Sequence, residues 1–181
     1  TTIESDLPAV APSLTGASIK KVRKLMSVLA ESAPFTPDMK RLKQALEIGD
    51  ERTLKHYLHL LEEASLIMTV GKKGAGLKGM VKPEKIYLNN PTLMHALSIA
   101  HPPERGNLRE TFFVNMLRVH HALETASQGD FLVEGKYTVE IGGKKKSFTQ
   151  VSGIDQAYLV LDDLERGIAK RLPLWLFGFL Y

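Results

Sequence analysis

Residues 130–147 read DFLVEGKYTVEIGGKKKS, and this stretch changes the apolar pattern of the chain from a helical period to the two-residue period of a β-strand. Residues 131–133 form one predicted strand, and Tyr137, Val139 and Ile141 alternate through a second. The short polar segment between the two strands predicts a tight connection. The stretch therefore predicts part of a β-sheet.

The segments on either side extend this sheet and supply a helix to cover it. Residues 107–126 predict a long helix, and residues 158–161 and 174–180 predict two further strands, the last of them buried. Together these elements predict a small mixed sheet with helices over residues 91–181. The fold class expected for the whole chain is α+β.

Charged residues in this region have the order found in metal-dependent nuclease centres. Asp130 opens the first strand, Glu140 follows in the next strand, and Glu110 lies near the start of the preceding helix. Carboxylate oxygens are the ligands that Mg²⁺ prefers, and two acids on neighbouring strands can hold such an ion. Glu110, Asp130 and Glu140 are therefore candidate catalytic residues, with Asp130 and Glu140 as the candidate metal ligands and Mg²⁺ as the cofactor to be tested.

The lysine that orients the attacking water in such centres stands two residues after the glutamate, and here that position is Gly142. Lys144 is the first lysine of the cluster and lies about 13 Å along an extended strand from Glu140, instead of about 7 Å. A bulge or turn at the glycines could fold a lysine back, which makes Lys144 the fourth catalytic candidate. Gln150 is a candidate supporting polar residue.

The first half of the chain predicts three short helices followed by a β-hairpin. Apolar residues at helical spacing predict a first helix over residues 19–32, Pro37 opens a second helix, and Asp50 is the predicted N-cap of a third. Residues 66–70 and 85–88 predict the two strands of the hairpin.

This order predicts a winged helix-turn-helix domain over residues 19–90. It is preceded by a predicted linker over residues 1–18, which are rich in Pro, Ser and Thr.

Basic residues are concentrated in this first half. Residues 19–88 contain fourteen Lys and Arg against eight Asp and Glu, which gives +6 in a chain whose net charge is +4. Such a segment favours a polyanionic partner, and a winged helix places its third helix in the major groove of DNA. The candidate DNA contacts on the third helix and the wing are Arg52, Lys55, His56, His59, Lys72, Lys73 and Lys78, with Lys82 as a further wing lysine. The alternative is that these side chains only solvate the surface.

Composition excludes several classes of site. The 181 residues include no cysteine, so disulfides, thiolate nucleophiles and cysteine-ligated zinc are excluded, and a reducing cytoplasm is the expected compartment. The longest apolar stretch, LPLWLFGFLY, is too short to cross a bilayer, so no membrane partner is expected.

Four separated blocks, in order, carry a resemblance that covers nearly the whole chain. They read RTLKHYLHLLEEASLI, KPEKIYLNNPTLMHAL, RGNLRETFFVNMLR and YTVEIGGKKKSF. The chain resembles the C-terminal half of a family of prokaryotic AAA-type ATPases. The resemblance implies a winged helix and a restriction-endonuclease-like domain of unknown function. It also implies that the N-terminal P-loop ATPase domain is missing here, that TTIESDLPAV is the join, and that ATP is bound only through that missing domain, which would be a partner of this region.

Three functions and a structural alternative remain open for the C-terminal domain. The preferred interpretation is a degenerate, non-cleaving nuclease fold that associates with DNA, with Lys144, Lys145 and Lys146 contacting phosphates. The second is a Mg²⁺-dependent nuclease. The third is a protein-interaction or oligomerisation module that regulates the ATPase. The structural alternative is that the three acids only cap turns and pair with lysines.

Overall fold

A computed structural model describes residues 3, 7–11, 14, 16–72, 83–98 and 101–180 of the chain. The described α-helices are α1 (Leu7–Val10), α2 (Gly16–Ser32), α3 (Met39–Ala45), α4 (Glu51–Glu63), α5 (Pro91–Leu97) and α6 (Arg105–Leu117). The described strands are β1 (Ile67–Lys72), β2 (Lys85–Leu88), β3 (Leu123–Thr125), β4 (Phe131–Val133), β5 (Tyr137–Gly143), β6 (Ala157–Asp162) and β7 (Arg171–Pro173). Two 3-10 helices cover Phe148–Val151 and Leu174–Phe179. The predicted α+β class is confirmed.

The strands form one mixed sheet in the order β2, β1, β3, β4, β5, β6, β7. Strand β4 is antiparallel to both β3 and β5, whereas β6 is parallel to β5 and β7 is parallel to β6. Strand β5 is therefore flanked on both sides, and its residues are mostly buried.

The chain divides into two compact units, residues 1–68 with 86–103, and residues 69–85 with 104–181. The predicted division fell after residue 90. The difference has a physical cause, because Gly71 and Lys72 at the end of β1 pair in parallel with β3 and so belong with the second unit. The tip of the predicted wing, residues 73–82, lies outside the described residues, together with Lys73, Lys78 and Lys82.

The N-terminal segment is more structured than the predicted linker over residues 1–18. Helix α1 lies within it, and Leu7, Ala11 and Leu14 are buried. Helix α2 also begins at Gly16, three residues before the predicted start. The apolar residues of this segment are spaced three and four apart, and they contribute to the core of the first unit.

The first unit is built on the apolar faces of its helices. Helix α2 buries Val22, Leu25, Met26, Leu29 and Ala30, and α4 buries Leu54, Tyr57, Leu58 and Leu61. The predicted starts of α3 and α4 are confirmed by their N-cap residues. Asp38 accepts a hydrogen bond from the Arg41 amide at 3.0 Å, and Asp50 accepts one from the Arg52 amide at 3.1 Å.

The second unit packs different groups on the two faces of β5. On one face, the Phe113 ring of α6 stacks on Phe131 with centroids 5.5 Å apart, and Phe131 is the register partner of Val139. The other face carries an apolar cluster of Val151, Ala157, Leu159 and Leu161. Neighbouring residues of a strand alternate between faces, so the register pair Glu140 and Leu159 lies on the side of this cluster.

The predicted helix over residues 107–126 is too long. Helix α6 ends at Leu117, whose carbonyl accepts the amides of His120 and His121, and residues 123–125 form β3. Pairing of β3 with β4 outweighs the helical pattern of the segment. No glycine or proline precedes the break, so the sequence carried no signal for it.

The prediction of a buried strand over residues 174–180 is wrong. Pro173 ends β7, and Leu174–Phe179 is a 3-10 helix with exposed apolar residues on its outer side. A 3-10 helix repeats every three residues, and the inward residues Leu174 and Phe177 have that spacing. The Phe177 ring lies 4.9 Å from that of Phe113. Among the described residues, no helix is both long and apolar enough to cross a membrane.

Candidate functional site

Glu140 is the buried acid at the centre of the candidate site. It lies in β5 and is 1% exposed, beside the apolar residue Leu159 of β6. Both of its carboxylate oxygens are buried, and neither accepts an aligned hydrogen bond from a described residue. A buried carboxylate without hydrogen bonds is unfavourable unless a cation compensates it.

The compensating cation is Lys146, whose ammonium contacts Glu140 Oε1 as an ion pair. The amide of Lys146 donates to the Gly143 carbonyl at 2.9 Å, so a tight turn after β5 reverses the chain. The lysine side chain then lies across Gly142, where an added Cβ would stand 2.8 Å from its Cβ and Cγ. Lys146 therefore occupies the space of a side chain at position 142, where the motif places its lysine.

Asp130 lies beside Glu140 on the adjacent strand. Its amide donates to the Val139 carbonyl at 2.9 Å, and its carboxylate accepts from the Ile141 amide at 2.7 Å. The partners of these two hydrogen bonds are the residues before and after Glu140, so the bonds hold Asp130 next to it. The structure thus brings Asp130, Glu140 and one lysine together, as the sequence predicted, but with Lys146 in place of Lys144.

The environment of Glu140 favours its neutral form. Burial raises the pKa of Glu140 above its ordinary value, and the neighbouring charge of Asp130 acts in the same direction. The ammonium groups of Lys146 and Lys85 lower the pKa of Glu140, but they do not offset the burial.

Glu110, the third predicted acid, is engaged elsewhere. Its Oε2 lies 3.3 Å from the Nζ of Lys85, and Lys85 also lies 5.6 Å from the centre of the Phe131 ring. Helix α6 packs on the Phe131 side of the sheet, whereas Glu140 lies on the other side. The described residues contain no group of three or more His, Asp or Glu side chains placed to hold one metal ion.

The fit of Mg²⁺ to the remaining two acids is poor in this conformation. Lys146 already contacts Oε1 of Glu140, and burial disfavours the ionised carboxylate that Mg²⁺ requires. Mg²⁺ retains several waters when it binds proteins, and the buried oxygens of Glu140 leave no room for them.

A cavity of about 540 Å³ adjoins the site from the side of Asp130. Its charged lining residues are Lys72, Glu84, Lys85 and Asp130. Glu140 is not among the described residues that line this cavity. Solvent and solutes therefore reach Asp130, while Glu140 stays closed beneath Lys146.

Two predicted residues lie outside the centre, and two others were missed. Lys144 and Gln150 are exposed. Lys85 was not predicted, and no local pattern marks it, since its role depends on pairing with Glu110. The role of Lys146 was also missed, because the turn expected at Gly142 and Gly143 does not by itself indicate which lysine it returns over β5.

The predicted DNA contacts of α4 form an exposed face. Arg52, Lys55, His56 and His59 are all exposed, opposite the buried apolar face of the helix. Two of them have acidic neighbours one helical turn away. Lys55 lies 2.8 Å from Glu51, and His59 lies 3.4 Å from Glu63.

The hydrogen bond and charge of Lys55 lower the pKa of Glu51. In the second unit, exposed Lys72 lies 3.1 Å from Glu84. The described DNA-contact candidates are thus accessible but partly neutralised.

Comparison with known proteins gives one match. Neither a search of curated proteins nor a search of solved structures found a match to this chain. A family model described as "Domain of unknown function (DUF8612)" matches residues 1–104, which is more than half of the chain. The chain therefore belongs to the DUF8612 family.

Proposed function

We propose that this chain is the DNA-associated, non-ATPase portion of an AAA-type ATPase, in which a winged helix contacts duplex DNA and a nuclease-like domain does not cleave it. The observation that carries the proposal is the ion pair between buried Glu140 and half-buried Lys146. It closes one of the two positions where a nuclease-like centre would need an accessible carboxylate.

The absence of cleavage follows from the requirements of metal-assisted phosphate hydrolysis. Two ionised, accessible carboxylates must share the ion, and a lysine must be free to orient water. Here Glu140 is buried and has a raised pKa, and Lys146 is held by Glu140. The pair then acts as a structural link between β5 and the turn that follows it.

Association with DNA is supported by the face of α4. Helices α2, α3 and α4 followed by β1 and β2 have the order of a winged helix. The contacts of Lys55 with Glu51 and of His59 with Glu63 are on the surface, where such contacts contribute little, so phosphates can replace the acidic partners. Arg52 and His56 are exposed on the same helix.

The link to an AAA-type ATPase is supported by the four sequence blocks described above. The first two blocks lie within the residues that match the DUF8612 family, and the other two lie in the second unit. In this proposal the chain binds no nucleotide by itself, and ATP hydrolysis belongs to a separate N-terminal domain in a prokaryotic cytoplasm.

The test is fluorescence anisotropy of a labelled DNA duplex titrated with the chain at about 50 mM and about 200 mM salt. Phosphate contacts release counterions, so we expect affinity to fall steeply with salt. Arg52→Gln is expected to lower the slope of log K against log salt by about 1.

Lys24→Gln is the matched control, because Lys24 is exposed on α2, outside the proposed interface. Equal slopes for Arg52→Gln and Lys24→Gln would contradict an interface on α4.

A Mg²⁺-dependent nuclease is the second candidate, and one observation favours it. Asp130, Glu140 and Lys146 match the residue types, two acids and a lysine, that such a centre requires, and they come together from three separate positions. Cleavage would require Lys146 to leave Glu140 as the ion enters. Mg²⁺-dependent cutting that is lost in Glu140→Ala would establish this candidate and remove the first.

A further inference from the structure

The cavity beside Asp130 has the dimensions of a binding site for a small molecule. Its volume is about 540 Å³, and sites for small molecules in proteins occupy about 300–1,000 Å³. All its described lining residues belong to the second unit, so that unit forms the cavity by itself. The DNA contacts proposed for α4 belong to the first unit, and Glu140 is not among the lining residues. The functions discussed above therefore leave this cavity unassigned.

Close packing holds the walls of the cavity in place. The lining residue Gly129 has a φ of 83°, and an added Cβ there would stand 2.8 Å from Cγ1 of Val151 and 3.2 Å from Cγ2 of Thr138. Glycine therefore allows the loop between β3 and β4 to lie directly against β5 and the 3-10 helix that contains Val151. Another lining residue, Ile154, packs against the apolar cluster around Val151. Walls that are already ordered lose little conformational entropy when a ligand binds.

Asp130 presents an oriented carboxylate to the cavity. Its Oδ2 accepts a hydrogen bond from the Ile141 amide at 2.7 Å, which fixes the side chain. Within the described part of the chain, no lysine or arginine forms an ion pair with Asp130. A carboxylate accepts hydrogen bonds on both oxygens, so Oδ1 is available to a donor in the cavity. Charged donors form the strongest hydrogen bonds to a carboxylate, so this position favours a cationic group of a ligand.

Lys85 presents a half-buried ammonium group to the same cavity. Its Nζ lies 3.3 Å from Oε2 of Glu110 and 5.6 Å from the centre of the Phe131 ring. An ammonium group has further N–H donors beyond the one that Glu110 accepts. The charge of Lys85 lowers the pKa of Glu140 and that of Asp130 raises it, so both groups lie close enough to act on one carboxyl group. A positive and a negative group thus lie near each other in the lining.

The charges of the lining balance each other. The other charged lining residues are Lys72 and Glu84, which pair with each other at 3.1 Å, and Lys72 is mostly exposed. The described lining therefore carries two cations and two anions. A ligand with one charge meets as much like charge as opposite charge in such a cavity. A zwitterion can place each of its charges against an opposite one.

We infer that this cavity binds a small zwitterion of the α-amino acid class with an apolar side chain. The ligand's ammonium group pairs with Asp130, and its carboxylate pairs with Lys85. The lining also includes Ala126, Leu132 and Ile154, which supply apolar surface for the ligand's side chain. Binding at this site requires neither DNA nor a metal ion, so the inference is independent of the function proposed above.

The experiment is isothermal titration calorimetry of the full, unaltered chain with three related probes at neutral pH. L-leucine carries both charges, isoamylamine is leucine without its carboxylate, and isocaproate is leucine without its amino group. We expect L-leucine to bind with a Kd of about 1 mM or lower. Each probe with a single charge is expected to bind about tenfold more weakly or worse, because it leaves one charged group of the cavity without its partner.

Two variants assign the two charges of the ligand. Asp130→Asn keeps an oxygen that can accept the Ile141 amide, and it is expected to weaken L-leucine about tenfold without weakening isocaproate. Lys85→Met is expected to weaken L-leucine by a similar factor without weakening isoamylamine. The matched controls are Glu165→Gln and Lys144→Met, because both residues are exposed and neither lines the cavity. Both controls are expected to bind L-leucine like the wild type.

Three results would overturn the inference. The first is no binding of L-leucine at millimolar concentrations. The second is equal affinity for L-leucine and one of the probes with a single charge, which would make the cavity a site for a simple cation or a simple anion. The third is equal affinity of Asp130→Asn and Glu165→Gln for L-leucine. The comparison of the three probes uses the unaltered chain, so it decides the matter even if a variant fails to fold.

Discussion

The ammonium of Lys146 contacts the buried carboxylate of Glu140 by folding back across Gly142 from beyond the end of β5. A lysine six residues away in the chain thus fills the space that a side chain two residues away would fill. The contact couples a buried carboxyl group in the sheet to the turn that follows β5. The side chain of Glu140 is covered at this contact and is 1% exposed.

Replacing Lys146 by methionine is expected to destabilise the fold strongly. The change leaves Glu140 buried without its cation, and because Lys146 is partly exposed to solvent the expected cost is about 1–3 kcal/mol, less than for a fully buried pair. The loss is expected to grow as pH rises through the raised pKa of Glu140, since protonation neutralises Glu140 at lower pH. Denaturant unfolding of Lys146→Met measures it.

Lys144→Met is the control for this comparison. Lys144 is exposed, and its replacement is expected to change the unfolding free energy by no more than about 0.5 kcal/mol. Equal losses for the two variants would show that the contact of Lys146 with Glu140 has no special role.

Gly142→Ala is expected to displace the lysine. The new Cβ would stand 2.8 Å from Cβ and Cγ of Lys146, and crowding of this kind destabilises by about 1–3 kcal/mol. Gly106→Ala offers a matched control, because Gly106 lies in α6 with no atom near its added Cβ. That control is expected to be neutral or stabilising, since alanine favours a helix more than glycine does. A lower free energy of unfolding for Gly106→Ala but not for Gly142→Ala would contradict the packing of Lys146 across Gly142.

Moving the lysine from position 146 to position 142 tests whether a lysine at either position can occupy the same space beside Glu140. Gly142→Lys is expected to be destabilising alone because two lysines compete for one space, and Lys146→Ala is destabilising because it removes the cation. The double variant is expected to be more stable than the sum of the two losses predicts, by about 0.5–3 kcal/mol of coupling. Thermal unfolding of the wild type, the two single variants and the double variant completes the double-mutant cycle. Strictly additive losses of stability would be evidence against a shared position of the lysine.

The stability of the protein is expected to depend on pH through Glu140. Its pKa in the folded protein is raised above the ordinary value of 4.5, so the folded state binds more protons than the unfolded state between these two values. The stability contributed by this group is fully present below about pH 4.5 and is lost as pH rises through the folded pKa. Glu140→Gln removes this dependence. Unfolding is measured at a series of pH values. The free energy of unfolding of Glu140→Gln is expected to rise relative to that of the wild type as pH rises, and the opposite trend would refute a raised pKa of Glu140.

The sequence predicted the elements whose boundaries have local causes. The N-cap Asp50 was identified from its position before an apolar stripe, and the bounds of β2 and β4 were read from apolar residues between turn residues. The neighbouring positions of Asp130 and Glu140 also followed from the strand pattern. Each of these features depends on residues close in the chain.

The features that were missed depend on residues far apart. The early end of α6 depends on pairing of β3 with β4, and the 3-10 form of residues 174–179 depends on contact with Phe113. The engagement of Glu110 by Lys85 spans 25 residues. The choice of Lys146 over Lys144 is set by a turn whose geometry the spacing alone does not fix.

We propose that Lys146 closes a nuclease-like centre, and incubation of a labelled duplex with the chain and Mg²⁺ or Mn²⁺ tests this proposal most directly. Cleavage products are compared with those of Glu140→Ala purified in the same way. We predict intact DNA in both reactions under conditions where anisotropy shows the duplex bound. Metal-dependent products that appear with the wild type and are lost in Glu140→Ala would contradict the claim and show that the centre opens and cuts.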